Sequence, residues 1–139
     1  MNKRIEGGWR VSRPWAEANS VILIVAGKPE LTAIWARHLE RQGLDVTVRS
    51  GQSDAVEWLH DHKAEVVLLD LMLENGSAIA VADFVSYLHP ETRVVFTTRD
   101  RFFSDGSIFN HIPNTAAVLQ EHTPPNDLAE IVAYHGRAC

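Results

Sequence analysis

Val66–Leu73 reads VVLLDLML: four apolar residues in unbroken succession, one carboxylate, and an apolar continuation. A run without in/out alternation needs cover on both faces, which predicts a central strand of a parallel sheet with helices packed above and below. The same run isolates Asp70. A carboxylate closing such a strand must either be solvated in a crevice or be paired, because a lone buried charge costs far more than folding supplies.

Working outward, four more short runs rich in Val, Ile, Leu or Ala resemble the first: Val21–Val25 (VILIV), Val46–Val48 within DVTVR, Val94–Thr97 (VVFT) and Ala116–Leu119 (AAVL). Between them, apolar residues recur at helical spacing: Leu31, Ile34, Trp35, His38 and Leu39; Val56 and Leu59; Val81, Phe84, Val85 and Leu88; Leu128, Ile131 and Val132. Boundary residues agree, with Pro29 in a first turn, Gly43 closing the first helix, Ser53 and Ser77 as N-caps, and Thr123 ahead of Pro124-Pro125. Five strands alternating with helices predict a three-layer, doubly wound α/β domain, with a five-stranded parallel sheet and a working crevice at the carboxyl ends of its strands. The connection RDRFFSDGSIFNHIPN after the fourth strand carries Gly106 and Pro113 and lacks a sustained apolar stripe, so its helix is expected to be short or irregular.

The chain has 139 residues, enough for one well-filled core, and we divide it into an N-terminal extension, residues 1–20, and a domain, residues 21–139. The extension carries Trp9, Pro14 and Trp15 without periodicity, so it docks on the domain or on a partner, or is ordered only locally. A formal net charge of −5 offers no basic field for a phosphate backbone, which argues against nucleic acid as partner. No stretch is long and apolar enough to span a bilayer or act as a signal, and a single cysteine, Cys139, cannot form an internal disulfide; a cytoplasmic location is expected. His60-Asp61-His62 sets its histidines on different helical faces and reads as a solvated helix end. Gly27-Lys28 lacks the remainder of a phosphate loop, there is no GxGxxG or GxSxG, and no cofactor or metal site is expected.

Residues just beyond the strand ends should meet in the crevice: Ala26, Gly27 and Lys28; Asp70; Thr97; and Glu121. The segments VILIVAGKPEL, LERQGLDVTV, AVEWL, AEVVLLDLML, RVVFTTRD and PPNDLAEIV, taken in order from residue 21 to about 135, resemble the receiver domains of bacterial two-component response regulators. That resemblance implies a flavodoxin-like receiver fold. It implies an Asp at the end of the third strand that accepts a phosphoryl group from a histidine kinase, a divalent metal held by an acidic pair after the first strand, a switch hydroxyl after the fourth and a Lys after the fifth. Asp70 matches the phosphoacceptor and Thr97 the switch hydroxyl. Ala26 and Gly27 stand where the acidic pair belongs, with Lys28 beside them; Glu121 replaces the Lys, His122 the following Pro, and Val118 a position where an aromatic is common. The loop from Leu71 to Gly76 is shorter than is usual in receivers and lacks their proline.

These departures predict weak or absent Mg²⁺ binding, since a hard dication takes its charge compensation from carboxylates and Asp70 alone supplies little. Lys28 is expected to occupy part of the vacated metal volume and to neutralise Asp70, Glu121 or both. The resulting expectation is a stand-alone, pseudo-receiver signalling module rather than an enzyme, delivering its output by protein–protein association with a histidine kinase or downstream regulator, or as a homodimer. Phe102, Phe103, Ile108, Phe109 and Val118 are its candidate contact residues, the first four because a Gly-interrupted segment leaves part of their apolar area uncovered. The alternatives are a phosphorylatable regulator with Asp70 as live phosphoacceptor and, less favoured, a small-molecule-binding flavodoxin-like protein.

Overall fold

The computed structural model describes residues 20–99 and 112–137. The element order is β1 (Val21–Val25), α1 (Pro29–Arg41), β2 (Asp45–Arg49), α2 (Gln52–Asp61), β3 (Val66–Asp70), α3 (Ala78–Leu88), β4 (Arg93–Thr98), β5 (Thr115–Gln120) and α4 (Pro125–Arg137). All strands are parallel and lie in the order β2-β1-β3-β4-β5. The expected doubly wound, five-stranded receiver-type fold is therefore present. The chain moves from β1 to one side and then returns to the other for β3, and this reversal opens the crevice at the carboxyl ends of the strands.

The unbroken apolar runs have the expected cause. Ile22–Val25 and Val66–Leu69 are fully buried because helices cover the sheet on both sides. Alternate residues feed two cores. Leu23, Val25, Val67, Leu69, Val94 and Phe96 meet α2 and α3, while Ile22, Ile24, Val66, Leu68 and Val95 meet Trp35 and Leu39 of α1 and Leu128 and Val132 of α4. By this parity Asp70 and Thr97 project from the α1/α4 face. Burying each Val, Leu or Ile contributes about 1.5–3 kcal/mol, so the central strands are the best-anchored place to mount a charged group.

Local signals were read correctly at some ends and not at others. Pro29 opens α1, the Ser77 hydroxyl accepts from the Ala80 N–H at 3.1 Å to cap α3, and Gly43 leaves α1 at φ +85°. Ser53 is not an N-cap: the cap is extended Gly51, two residues earlier, and α2 starts at Gln52, which is bonded to Asn75 and Ser77 in the loop between β3 and α3. In α1 the buried stripe is Thr32, Trp35 and Leu39; Ile34 is exposed, and His38 pairs its Nδ1 with the Ile34 carbonyl at 2.9 Å instead of entering the core. In α2 the buried face is Ala55, Trp58 and Leu59, with Val56 only half-buried. Asp70 and Thr97 belong to their strands rather than lying beyond them.

The expected irregular helix, the extension apart from Ser20, and Cys139 lie outside the described residues. Among the described residues no helix is long and apolar enough to cross a membrane.

At the amino ends of the strands a cavity of about 250 Å³ is lined by Lys63, Glu65, Glu91, Arg93 and His135. The His135 Nδ1 is buried there without a hydrogen-bond partner. Burial first, and then the Arg93 charge, hold this imidazole below its ordinary value of 6.5. The folded state thus favours the neutral ring, whereas the unfolded chain takes up the proton at higher pH. Stability contributed by His135 is present above the unfolded value and is lost as pH falls towards the folded one. His135→Gln should therefore flatten the fall in urea midpoint between about pH 8 and about pH 6, a window in which carboxylates barely titrate.

Candidate functional site

The rim at the carboxyl end of the sheet is built by the ends of β1, β3, β4 and β5. Lys28 follows β1 and occupies the N-cap position of α1 in an extended conformation (φ −115°), with its carbonyl accepting from the Thr32 N–H at 3.0 Å. Since Pro29 starts the helix immediately afterwards, the Lys28 side chain stands outside the helical stripe and reaches across the sheet end. Asp70 closes β3 in register with Thr97 of β4. Glu121 follows β5, and its N–H extends the ladder by donating to the Thr98 carbonyl at 2.8 Å.

Asp70 is 2% exposed. Its two oxygens have different partners: Oδ1 accepts from the Met72 N–H at 2.9 Å, and Oδ2 lies 3.7 Å from Lys28 Nζ. The second is an ion contact rather than a direct hydrogen bond. Lys28 donates its hydrogen bond to Glu121 Oε2 instead, and Arg99 Nε sits 3.8 Å from Glu121 Oε1. Asp70, Lys28, Glu121 and Arg99 thus form a chain of alternating charge that sums to zero. Its inner end is the buried acid, Lys28 and Glu121 are half-buried, and the guanidinium at its outer end faces solvent. At about 4 Å an ammonium and a carboxylate attract by roughly 4 kcal/mol at an effective dielectric of 20, before desolvation.

Ala26 is buried and carries no donor, and Gly27 lies against the Ser50 carbonyl, so neither supplies an oxygen-bearing side chain. Among the described residues no three His, Cys, Asp or Glu side chains converge. The two rim carboxylates face the Lys28 ammonium, which a dication approaching them would have to displace.

The Thr97 hydroxyl is fully buried and has no hydrogen-bond partner. It lies on the same face as Asp70, one strand over, and is not drawn into the ion chain. Of the positions singled out in the sequence, the rim therefore brings Lys28, Asp70 and Glu121 into contact, keeps Thr97 adjacent but unengaged, and leaves Ala26 and Gly27 as filler. Val118 is half-buried and already packed against the core under α2 and α3. Phe102, Phe103, Ile108 and Phe109 lie outside the described residues. Sequence reasoning missed Arg99 and the Met72 amide. Arg99 was findable, being the first residue after β4 and so at the rim by the same rule that selected Lys28 and Glu121. His60 meets Phe84 edge-on at 5.2 Å, and His62 stacks on Trp58 at 4.7 Å.

No family model and no curated protein sequence matches this chain. Solved structures do match its fold. It is similar to a CheY-like response regulator receiver domain from Methanospirillum hungatei JF-1, with 17% identity, 87% of this chain and 96% of that one covered, and a TM-score of 0.78. The signal receiver domain of a putative LuxO repressor protein from Vibrio parahaemolyticus is similar at 19% identity over 87% and 92% of the two chains, with a TM-score of 0.75. The response regulator TrrA from Thermotoga maritima, solved in complex with Mg²⁺ and BeF, is similar at 15% identity over 84% and 98%, with a TM-score of 0.73. The chain thus has the receiver fold over most of its length.

Replacing Lys28 by Met removes the cation and leaves the buried Asp70 carboxylate with one hydrogen bond. Urea unfolding should register a loss of about 1–3 kcal/mol, and adding Asp70→Asn to the same chain should recover part of it because the uncompensated charge is gone.

Proposed function

We propose that this chain is a receiver-fold signalling module of the pseudo-receiver kind, whose rim is neutralised by its own Lys28 rather than by a divalent metal, and that it acts by binding a protein partner rather than by catalysis. The observation that carries the reading is the placement of the Lys28 ammonium against both Asp70 and Glu121. Acyl-phosphate formation on a carboxylate requires the attacking oxygen to be available and a cation to bridge it to the incoming phosphoryl group. Here Asp70 Oδ1 is engaged by an amide, Oδ2 faces a tethered cation, and Glu121 presents negative charge to an approaching phosphate. The charges of the rim are balanced among its own side chains, so no ion from solution is needed to set its shape. A regulator of this kind communicates through its surface, with a histidine kinase, a downstream regulator or a second copy as partner, and it works in the cytoplasm without a cofactor.

The Thr97 hydroxyl gives the competing reading its one support. A buried donor beside Asp70 with no acceptor in reach is what a phosphoryl oxygen on that residue would satisfy. Incubating the full chain with acetyl phosphate and millimolar Mg²⁺, then measuring intact mass, separates the two. We expect no Asp70-dependent gain and no saturable Mg²⁺ effect on tryptophan fluorescence. A stable gain of one phosphoryl mass that Asp70→Asn abolishes would replace our reading with that of a phosphorylatable regulator.

A further inference from the structure

The loop joining β3 to α3 is fastened to the first turn of α2, and Gln52 makes both attachments. Its backbone N–H donates to the Asn75 carbonyl at 2.8 Å, and its side-chain Oε1 accepts from the Ser77 N–H at 2.8 Å. The fit around these bonds admits no extra carbon. A Cβ on Gly51 would stand 2.8 Å from both the Cβ and the carbonyl oxygen of Asn75, and one on Gly76 would overlap the Gln52 side chain. Gly76 also holds φ +111°, a conformation open to glycine and strained for any other residue.

The other end of the loop is fixed independently. The Leu71 N–H donates to the Thr97 carbonyl at 2.8 Å, and the Leu73 side chain is buried in the core under α2 and α3. Met72, whose amide holds Asp70 Oδ1, lies between the two anchors, with only Leu73 and Glu74 separating it from Asn75. With both ends tied, the segment has few conformations, and the Met72 N–H is aimed at the carboxylate before any ligand arrives.

We infer that Gln52 is a positioning residue for the rim: by latching residues 75–77 to α2 it adds to the anchors at Leu71 and Leu73 the tie that keeps the Met72 amide on Asp70, and so helps fix the carboxylate orientation that leaves Oδ2 to Lys28. The inference deepens the proposed function, supplying the means by which the rim keeps one shape without a ligand, and it rests on that reading for its purpose but not for its geometry. The latch also explains why a loop short by receiver standards, containing Glu74, Asn75 and Gly76, stays in place without a proline: a hydrogen-bonded clamp from the neighbouring helix replaces the stiffness of the ring.

Amide hydrogen exchange followed by NMR on the full chain tests it. Gln52→Ala should raise exchange at both Ser77 and Met72 by about tenfold or more while Ile24 and Leu68, in the middle of the sheet, keep their protection. Both variants keep the backbone donor to Asn75; Gln52→Glu, which also retains a side-chain oxygen acceptor for the Ser77 N–H, should restore both. Unchanged protection at Met72 when that of Ser77 is lost would overturn the inference, as would a uniform rise that includes Ile24 and Leu68, since the residue would then serve global stability alone. The phosphodonor experiment on the unsubstituted chain is blind to this latch, so failure of the proposed function and failure of the inference are read separately.

Discussion

The contact between the Lys28 ammonium and the Asp70 carboxylate is the constraint on which the rest of the rim depends. An acid 2% exposed at the end of a fully apolar strand is tolerable only if its charge is met. One backbone N–H meets half of that need, and the remainder falls to a cation. In a metal-dependent site that cation comes from solution and leaves again, which makes the site switchable. Here it is covalently part of the chain, close at hand at every ligand concentration, and tied by its other hydrogen bond to Glu121. Glu121 is in turn approached by Arg99, so the charges are balanced from the interior out to solvent.

The fold supplies what this balance needs. Four strand ends meet at one rim because the sheet is parallel and doubly wound, and the chain reverses direction between β1 and β3. Lys28 comes from the first strand and Glu121 from beyond the fifth, 93 positions apart in the chain, yet they share a hydrogen bond. β1 and β3 are covered on both faces, so the rim groups are mounted on closely packed strands. The Gln52 attachment ties the loop that follows Asp70 to α2.

The opposite end of the sheet has a different character. Its cavity mixes Lys63, Glu65, Glu91 and Arg93 around a His135 whose buried nitrogen is unpartnered. Burial and the Arg93 charge there favour the neutral imidazole. The two ends are thus distinct electrostatic settings: one internally neutralised, one carrying a group that resists protonation.

Much of this was legible in the chain. Unbroken runs such as VILIV and VVLLD required burial on two faces, and that alone set the parallel sheet, its helical layers and the isolation of Asp70. Ala26, Gly27 and Glu121 could be read from the chain as departures from the acidic pair and the lysine that the resemblance implies. Periodicity was less informative about which flank of a helix faces inward, as Ile34, His38 and Trp58 illustrate, because that depends on where the neighbouring helix lies. Three-dimensional packing alone decided that Lys28 turns inward rather than to solvent, that Arg99 joins the chain of charges, and that Gln52 clasps a loop 23 residues away. A long flexible side chain has a solvated alternative for every contact it makes, and only the distances set by the folded backbone choose between them.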